Sequence, residues 1–314
     1  MRRIPGLSFA LLAVFTASAI QAFALDPRLV SLVPPEAQVV AGMDARQLPG
    51  EPGSFVITTH SNVADLEDFF ALTGVDSARI IRHVVFVAMD EQAGLLSEHS
   101  LLASGQFDQA RIYKSAVLGG ATGTQYRGIP VLTIEPFARE SAVFHDVRWL
   151  AIPDSGTVLF GTIASVREEL DRYLAGSPAD ASLLRRLSSL RPDSDTWCVL
   201  LFAARSAEIR RALETLNPAL AGAVEDGDAF VFGLRYRRQV EFEYEVSAAS
   251  SAAIRTISDS LAQSLAGTER QSFLPVSDIS GAKVTARGTI RISTARYIAW
   301  LAEVAARGRS SGAP

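Results

Sequence analysis

Every second residue of 240–246 is apolar or aromatic (Val240, Phe242, Tyr244 and Val246), with a glutamate at each position between. A period of two is a strand with one buried face. The preceding run, 230–236, places Phe230, Phe232, Leu234 and Tyr236 on one face in the same way. A loop of residues 237–239 pairs Tyr236 with Val240, so all eight side chains share a face. It also sets Arg235 across from Glu241, a favourable cross-strand pair. The chain therefore contains an antiparallel sheet.

Around that hairpin the chain reads twice through one order of elements. The first pass has a strand at 39–45, a helix at 63–73 with Val63, Leu66, Phe69 and Phe70 on one face, and strands at 84–89 and 101–107. Asp108 is placed to cap a helix over 109–118, Gly119 and Gly120 stop it, and a strand at 129–135 closes the pass. The second pass has a strand at 197–203, apolar on both faces and hence central. A helix at 207–216 follows, with Ile209, Leu213 and Leu216 on one face, and then the hairpin. Next come a helix carrying Ile254, Ile257, Leu261 and Leu265, a strand over 283–292, and a last helix at 294–306. Between the passes lie strands near 149–152 and 157–161 and two helices, the first opened by a capping box, Ser165 to Glu168. Gly176, Ser177 and Pro178 then break the chain.

Each pass is β-α-β-β-α-β, which predicts an α+β protein. The expectation is two ferredoxin-like lobes with antiparallel sheets and helices on one face, related by internal duplication. The lobes are expected over 25–176 and 177–306, with a disordered tail over 307–314.

Residues 1–24 read as a signal peptide. Arg2 and Arg3 form a basic start, an apolar and small-residue run follows, and Ala22-Phe23-Ala24 is a cleavage pattern. The run is shorter than the ~20 residues a spanning helix needs. The expected mature chain starts at Leu25, is exported to the periplasm or beyond, and has no membrane span. A lipid anchor at the cleavage point needs a cysteine, and the sole cysteine is Cys198. That residue sits in an apolar run and reads as a buried, inert thiol.

Composition narrows the function. The apolar fraction is 48% and the net charge −4, with no basic stripe, which argues against nucleic acid. Of the two lysines, Lys114 and Lys283, neither follows a serine at Ser-x-x-Lys spacing, and there is no Gly-x-Ser-x-Gly. Asp154-Ser155-Gly156 is composed as a turn. The histidines His60, His83, His99 and His145 lie beyond strand or helix reach of one another, and no metal-ligand spacing occurs. Asp65, Glu67 and Asp68 are the outer face of a helix, and 225–228 is a solvated turn without the calcium-loop pattern. The glycines of 119–123 follow a helix instead of opening one, so they read as a C-cap and not a phosphate cradle. No catalytic, cofactor-binding or metal-binding residue is assigned, no cofactor is expected, and the binding residues are left unknown.

Charge on the second pass carries more content. Arg235, then Glu241, Glu243 and Glu245, then Lys283, Arg287 and Arg291 share the wet face of the sheet. The apolar strand at Trp197 is expected between the last two strands, where one bare row must be covered. The other lobe is the expected cover.

Gln125 to Val131, Leu150 to Ile152 with its continuation to Gly161, Ser165 to Tyr173, and Val40 to Asp44 together resemble a family of exported bacterial proteins with no assigned activity. The resemblance covers most of the mature sequence and implies fold and address, with no substrate or catalytic residue. The expected function is a non-enzymatic envelope protein that binds a partner or acts as a scaffold. Its partner is an unknown protein or small molecule. The alternatives are a periplasmic small-molecule or lipid carrier with a pocket between the lobes, and a hydrolase with a dispersed site built on a base such as His145 or His60.

Overall fold

The computed structural model describes residues 26–45, 81–89, 98–135, 147–201, 227–248, 276–280 and 283–293. The expected signal peptide, the helices at 63–73, 207–216, 254–265 and 294–306, and the tail lie outside the described residues.

The described chain runs α1 (Pro27–Leu32), β1 (Val39–Asp44), β2 (Ile81–Met89), β3 (Glu98–Gly105), α2 (Gln109–Leu118), β4 (Thr122–Tyr126), β5 (Ile129–Ile134), β6 (Arg148–Asp154), β7 (Thr157–Thr162), α3 (Ile163–Ala175), α4 (Ala181–Leu187), β8 (Thr196–Leu201), β9 (Gly227–Tyr236), β10 (Gln239–Ala248), β11 (Val276–Ser280) and β12 (Lys283–Ser293). The protein is α+β. Its strands form one 12-stranded sheet in the order β11-β12-β10-β9-β8-β1-β2-β3-β7-β6-β5-β4. Every neighbouring pair is antiparallel.

This order differs from the expected one. In a ferredoxin-like lobe the first strand of each pass sits between the third and the fourth. Here the two first strands, β1 and β8, pair with each other, and each continues outward to its own second strand. The physical reason lies in burial. Every residue of β1 is buried, and Trp197 and Val199 of β8 are 2% and 0% exposed. Strands apolar on both faces belong mid-sheet, and pairing them makes one common centre instead of two. The halves meet edge to edge, so the cover expected from lobe-on-lobe packing is not what buries the Trp197 strand.

Helices also lie on both faces, not one. Leu29 and Val30 of α1, Val166 and Leu170 of α3, and Leu183 and Leu187 of α4 pack with Val85, Leu102, Leu159 and Val199 on the first face. Ile112 and Ala116 of α2 pack with Leu101, Ala103, Leu132 and Phe160 on the second. The alternation of the strands divides the two sets, as a period of two requires.

Local signals fare better. Asp108 caps α2, accepting from the Arg111 N–H at 3.0 Å. Tyr236 pairs with Val240, and Arg235 Nη1 meets Glu241 Oε2 at 3.1 Å. Gly176, at φ +59°, ends α3. The cap of α3 is not the expected one: Thr162 accepts from the Ser165 N–H, and Ser165 lies inside the first turn, fully buried. Ile163 already packs against the core, so the helix begins earlier than polarity indicates.

Candidate functional site

Three polar assemblies interrupt the apolar faces. The first lies under α1 and α3. Ser100, Leu102 and Ser104 form one row of β3, facing the helices. Ser100 donates its hydroxyl to Glu169 of α3, which is fully buried. Burial pushes the Glu169 carboxyl well above its ordinary range, and its second oxygen has no hydrogen-bond partner among the described residues. Ser104 Oγ stands 3.2 Å from Nδ1 of His83, and Asp26 Oδ2 stands 3.9 Å from the same nitrogen. Burial pushes the Asp26 carboxyl up, but the bonds from Arg28 and Ser104 and the Arg28 charge together outweigh it and hold it below its ordinary value. Asp154 collects the Gly156 N–H at 2.6 Å, the Thr157 hydroxyl at 3.3 Å and the Tyr173 phenol at 2.8 Å. Arg172 of α3 donates to the Ser31 carbonyl of α1 at 3.0 Å. These bonds dock two helices onto the sheet.

His83 thus meets both a hydroxyl and a carboxylate. In a serine relay the nucleophile and the orienting acid stand on opposite ring nitrogens. Here both face Nδ1, and Ser104 is 1% exposed. The arrangement holds structure and presents no nucleophile.

The second assembly is the charged face of β9 and β10. The segment after α4 folds over it. The Arg191 N–H donates to Glu243, and Arg191 Nη1 meets Glu241 at 3.1 Å. Arg235 bridges Asp193 at 2.7 Å, and Arg237 bridges Asp195 at 2.8 Å. Burial pushes the Asp195 carboxyl up. Of the charges marked as a wet face in the sequence, Arg235, Glu241 and Glu243 are therefore the seat of residues 191–194. Lys283 and Arg287 are the register partners of Ser247 and Glu243.

The third assembly is at the outer edge of the sheet. β4 is the last strand and pairs with β5 alone among the described residues. Thr122, Gly123, Thr124 and Gln125 are all exposed, so neither face of the strand is covered. The turn to β5 is Arg127-Gly128, with φ of +47° and +85°. Two-residue hairpin turns of the primed type need that geometry and ordinarily take Asn or Gly at its first position. Arg127 lies 5.6 Å from the centre of the Tyr126 ring. Arg167 of α3 stacks 4.9 Å from the Trp149 ring centre and 5.9 Å from that of Tyr126. The Tyr126 hydroxyl donates to Asp171 at 3.0 Å, and Arg127 reaches the same carboxylate at 3.2 Å. Two guanidiniums, two aromatic rings and an open strand edge thus adjoin. Leu118, the last residue of α2, is 80% exposed.

The other candidates fall as follows. Cys198 is half-buried within β8, and desolvation pushes its thiol up to about 12. Ser155 sits in the turn joining β6 to β7. Lys114 is an exposed residue of α2. The 119–123 glycines close α2 and lead into β4. His60, His145, Glu225 and Asp226 lie outside the described residues, as does the His99 side chain. Sequence reasoning missed β4 and Glu169. The Thr122, Thr124, Tyr126 alternation was a signal for the first. Nothing in the pattern of a helix marks one glutamate as buried.

No family model matches the chain, and no curated protein does. Among solved structures, crystal form I of TP0453 aligns with 90% of this chain and 98% of its own at 14% identity and a TM-score of 0.48. No function follows from a likeness at that level.

Proposed function

We propose that the chain is an exported, non-enzymatic protein of the bacterial envelope that works by binding a partner. The observation that carries this reading is the β4 edge, a strand exposed on both faces at the end of the sheet. Edge strands left long and uncovered are templates for pairing, and folded proteins ordinarily blunt them with proline, lysine or a bulge. β4 has none of these. The basic start, apolar run and cleavage pattern of residues 1–24 support export, in keeping with the resemblance to an exported family. The two passes belong to one duplicated unit. In support, the strand order reads β1-β2-β3-β7-β6 outward from the central pair on one side and β8-β9-β10-β12-β11 on the other.

The test is native mass spectrometry of the mature chain, from Leu25, taken from a periplasmic extract. A protein companion that travels with the wild type and is lost with Thr124→Pro supports the reading. A co-purifying lipid or small molecule with no protein companion moves the function to a carrier. Substrate turnover abolished by one substitution overturns the non-enzymatic reading.

A further inference from the structure

We infer that the β4 edge takes an extended, acidic segment of a partner protein. The segment adds a strand to the sheet and sets its carboxylates against Arg127 and Arg167. The inference rests on the partner-binding reading and names the chemistry of the partner.

The backbone supplies the first half of the argument. An open edge binds an added strand through main-chain hydrogen bonds, and pockets beside alternate side chains select its sequence. β4 offers such an edge over Thr122–Tyr126. Its own side chains are uncharged and the added strand meets no like charge on it.

Charge supplies the second half. The protein carries a net charge of −4, yet two guanidiniums, Arg127 and Arg167, and one carboxylate, Asp171, adjoin the Tyr126 end of β4. Asp171 is shared between the Tyr126 hydroxyl and Arg127, and Arg167 has no carboxylate within ion-pair distance among the described residues. Stacking on Trp149 and Tyr126 holds the Arg167 guanidinium in place while that side chain remains exposed. Arg127 keeps a left-handed backbone that is unfavourable outside glycine. Strain of that kind persists where the residue serves a purpose. A guanidinium preset in this way loses little freedom on meeting a carboxylate.

A second copy of the chain fits less well. Antiparallel self-pairing about Thr124 brings each Arg127 to Ala121 of the other copy. Residues 118–128 contain no acid, so self-pairing offers each Arg127 no carboxylate beyond its own Asp171. An acidic segment supplies a carboxylate to Arg167 and a second one to Arg127.

The test uses the purified mature chain and a random dodecapeptide phage library. The expected outcome is enrichment of extended peptides carrying Asp or Glu. A synthetic winner should bind the wild type more weakly as salt rises, and should bind Arg167→Glu and the Arg127→Glu/Arg167→Glu double variant about tenfold or more weakly than the wild type at low salt. Thr124→Pro should bind it weakly as well, with circular dichroism showing that the variant is folded. The surface substitution at Arg167 keeps the test decisive if Thr124→Pro does not fold. A peptide with its acids changed to lysine should recover binding to the double variant. Absence of acidic enrichment, or winners indifferent to all these substitutions, overturns the inference. So does a dimer in sedimentation that Thr124→Pro dissolves, which assigns the edge to a second copy. A non-acidic companion captured in the periplasmic experiment leaves partner binding standing while overturning this choice of partner.

Discussion

Gly42 and Trp197 are cross-strand partners at the join between β1 and β8, and the Trp197 indole lies across the space where another residue would carry its Cβ. The ring covers the backbone of a strand that lacks a side chain at that point. This is the aromatic rescue of a sheet glycine. The pair holds together the two halves of the sheet.

Gly42→Ala should therefore destabilise the fold by roughly 1–3 kcal/mol, the usual cost of overpacking. Trp197→Leu in the same background should return part of that loss. Urea unfolding of the two single variants and the double variant checks this, and strictly additive effects would contradict the contact.

Glu169 gives stability a pH dependence. Its folded carboxyl titrates well above the unfolded value of 4.5, because burial opposes the charge. The folded state thus holds the proton longer, and stability falls as pH rises from about 4.5 through the folded value. Glu169→Gln should remove that decline. The variant should gain on the wild type as pH rises over this window, with the urea midpoint as the readout. A constant offset at every pH would show that the carboxyl is not the cause.

Asp26 works in the opposite direction. Its folded carboxyl lies below the unfolded value of 3.8, so its contribution is fully present above 3.8 and is lost as pH falls through the folded value. Asp26→Asn should lower the thermal midpoint near neutrality, and the deficit should shrink in acid. Arg28→Met should reproduce part of the loss, since Arg28 Nη2 bonds the same carboxylate at 2.9 Å.

The Tyr113 hydroxyl bridges two strands, donating to the Pro130 carbonyl at 2.6 Å and accepting from the Ile152 N–H at 3.3 Å. It mends the ladder where the β6–β7 register shifts beyond Ala151. Tyr113→Phe should cost about 1–3 kcal/mol by leaving these backbone groups unmatched. Chemical denaturation measures the loss, and accelerated amide exchange at Ile152 locates it.

Cys198 should resist alkylation in the folded protein, since it is half-buried and its thiol is held at about 12. Iodoacetamide labelling at pH 8 should follow unfolding and rise to the rate of a free thiol in urea. Rapid labelling of the native chain would show that β8 is not central.

Much of the local structure was legible in residues alone. Asp108 announced its helix, Gly176 its end, and the hairpin register followed from the two alternating runs and the length of the loop between them. Each of these depends on atoms within a few residues, where geometry is fixed by the backbone. The candidate edge was only half visible. The Gln125 to Val131 stretch was marked, but its status as the last strand was not, because a polar strand lacks the burial pattern that identifies one.

The sequence by itself determined that the chain is α+β, which residues alternate on which strand, and that β8 must be central. Tertiary structure alone decided that β1 and β8 are neighbours in one sheet, that Ser100 faces Glu169, and that Arg167 stacks beside Tyr126. Periodicity is a property of one segment and says which side is buried. The identity of a neighbour depends on how distant segments share a core, and many pairings satisfy the same pattern until packing selects one.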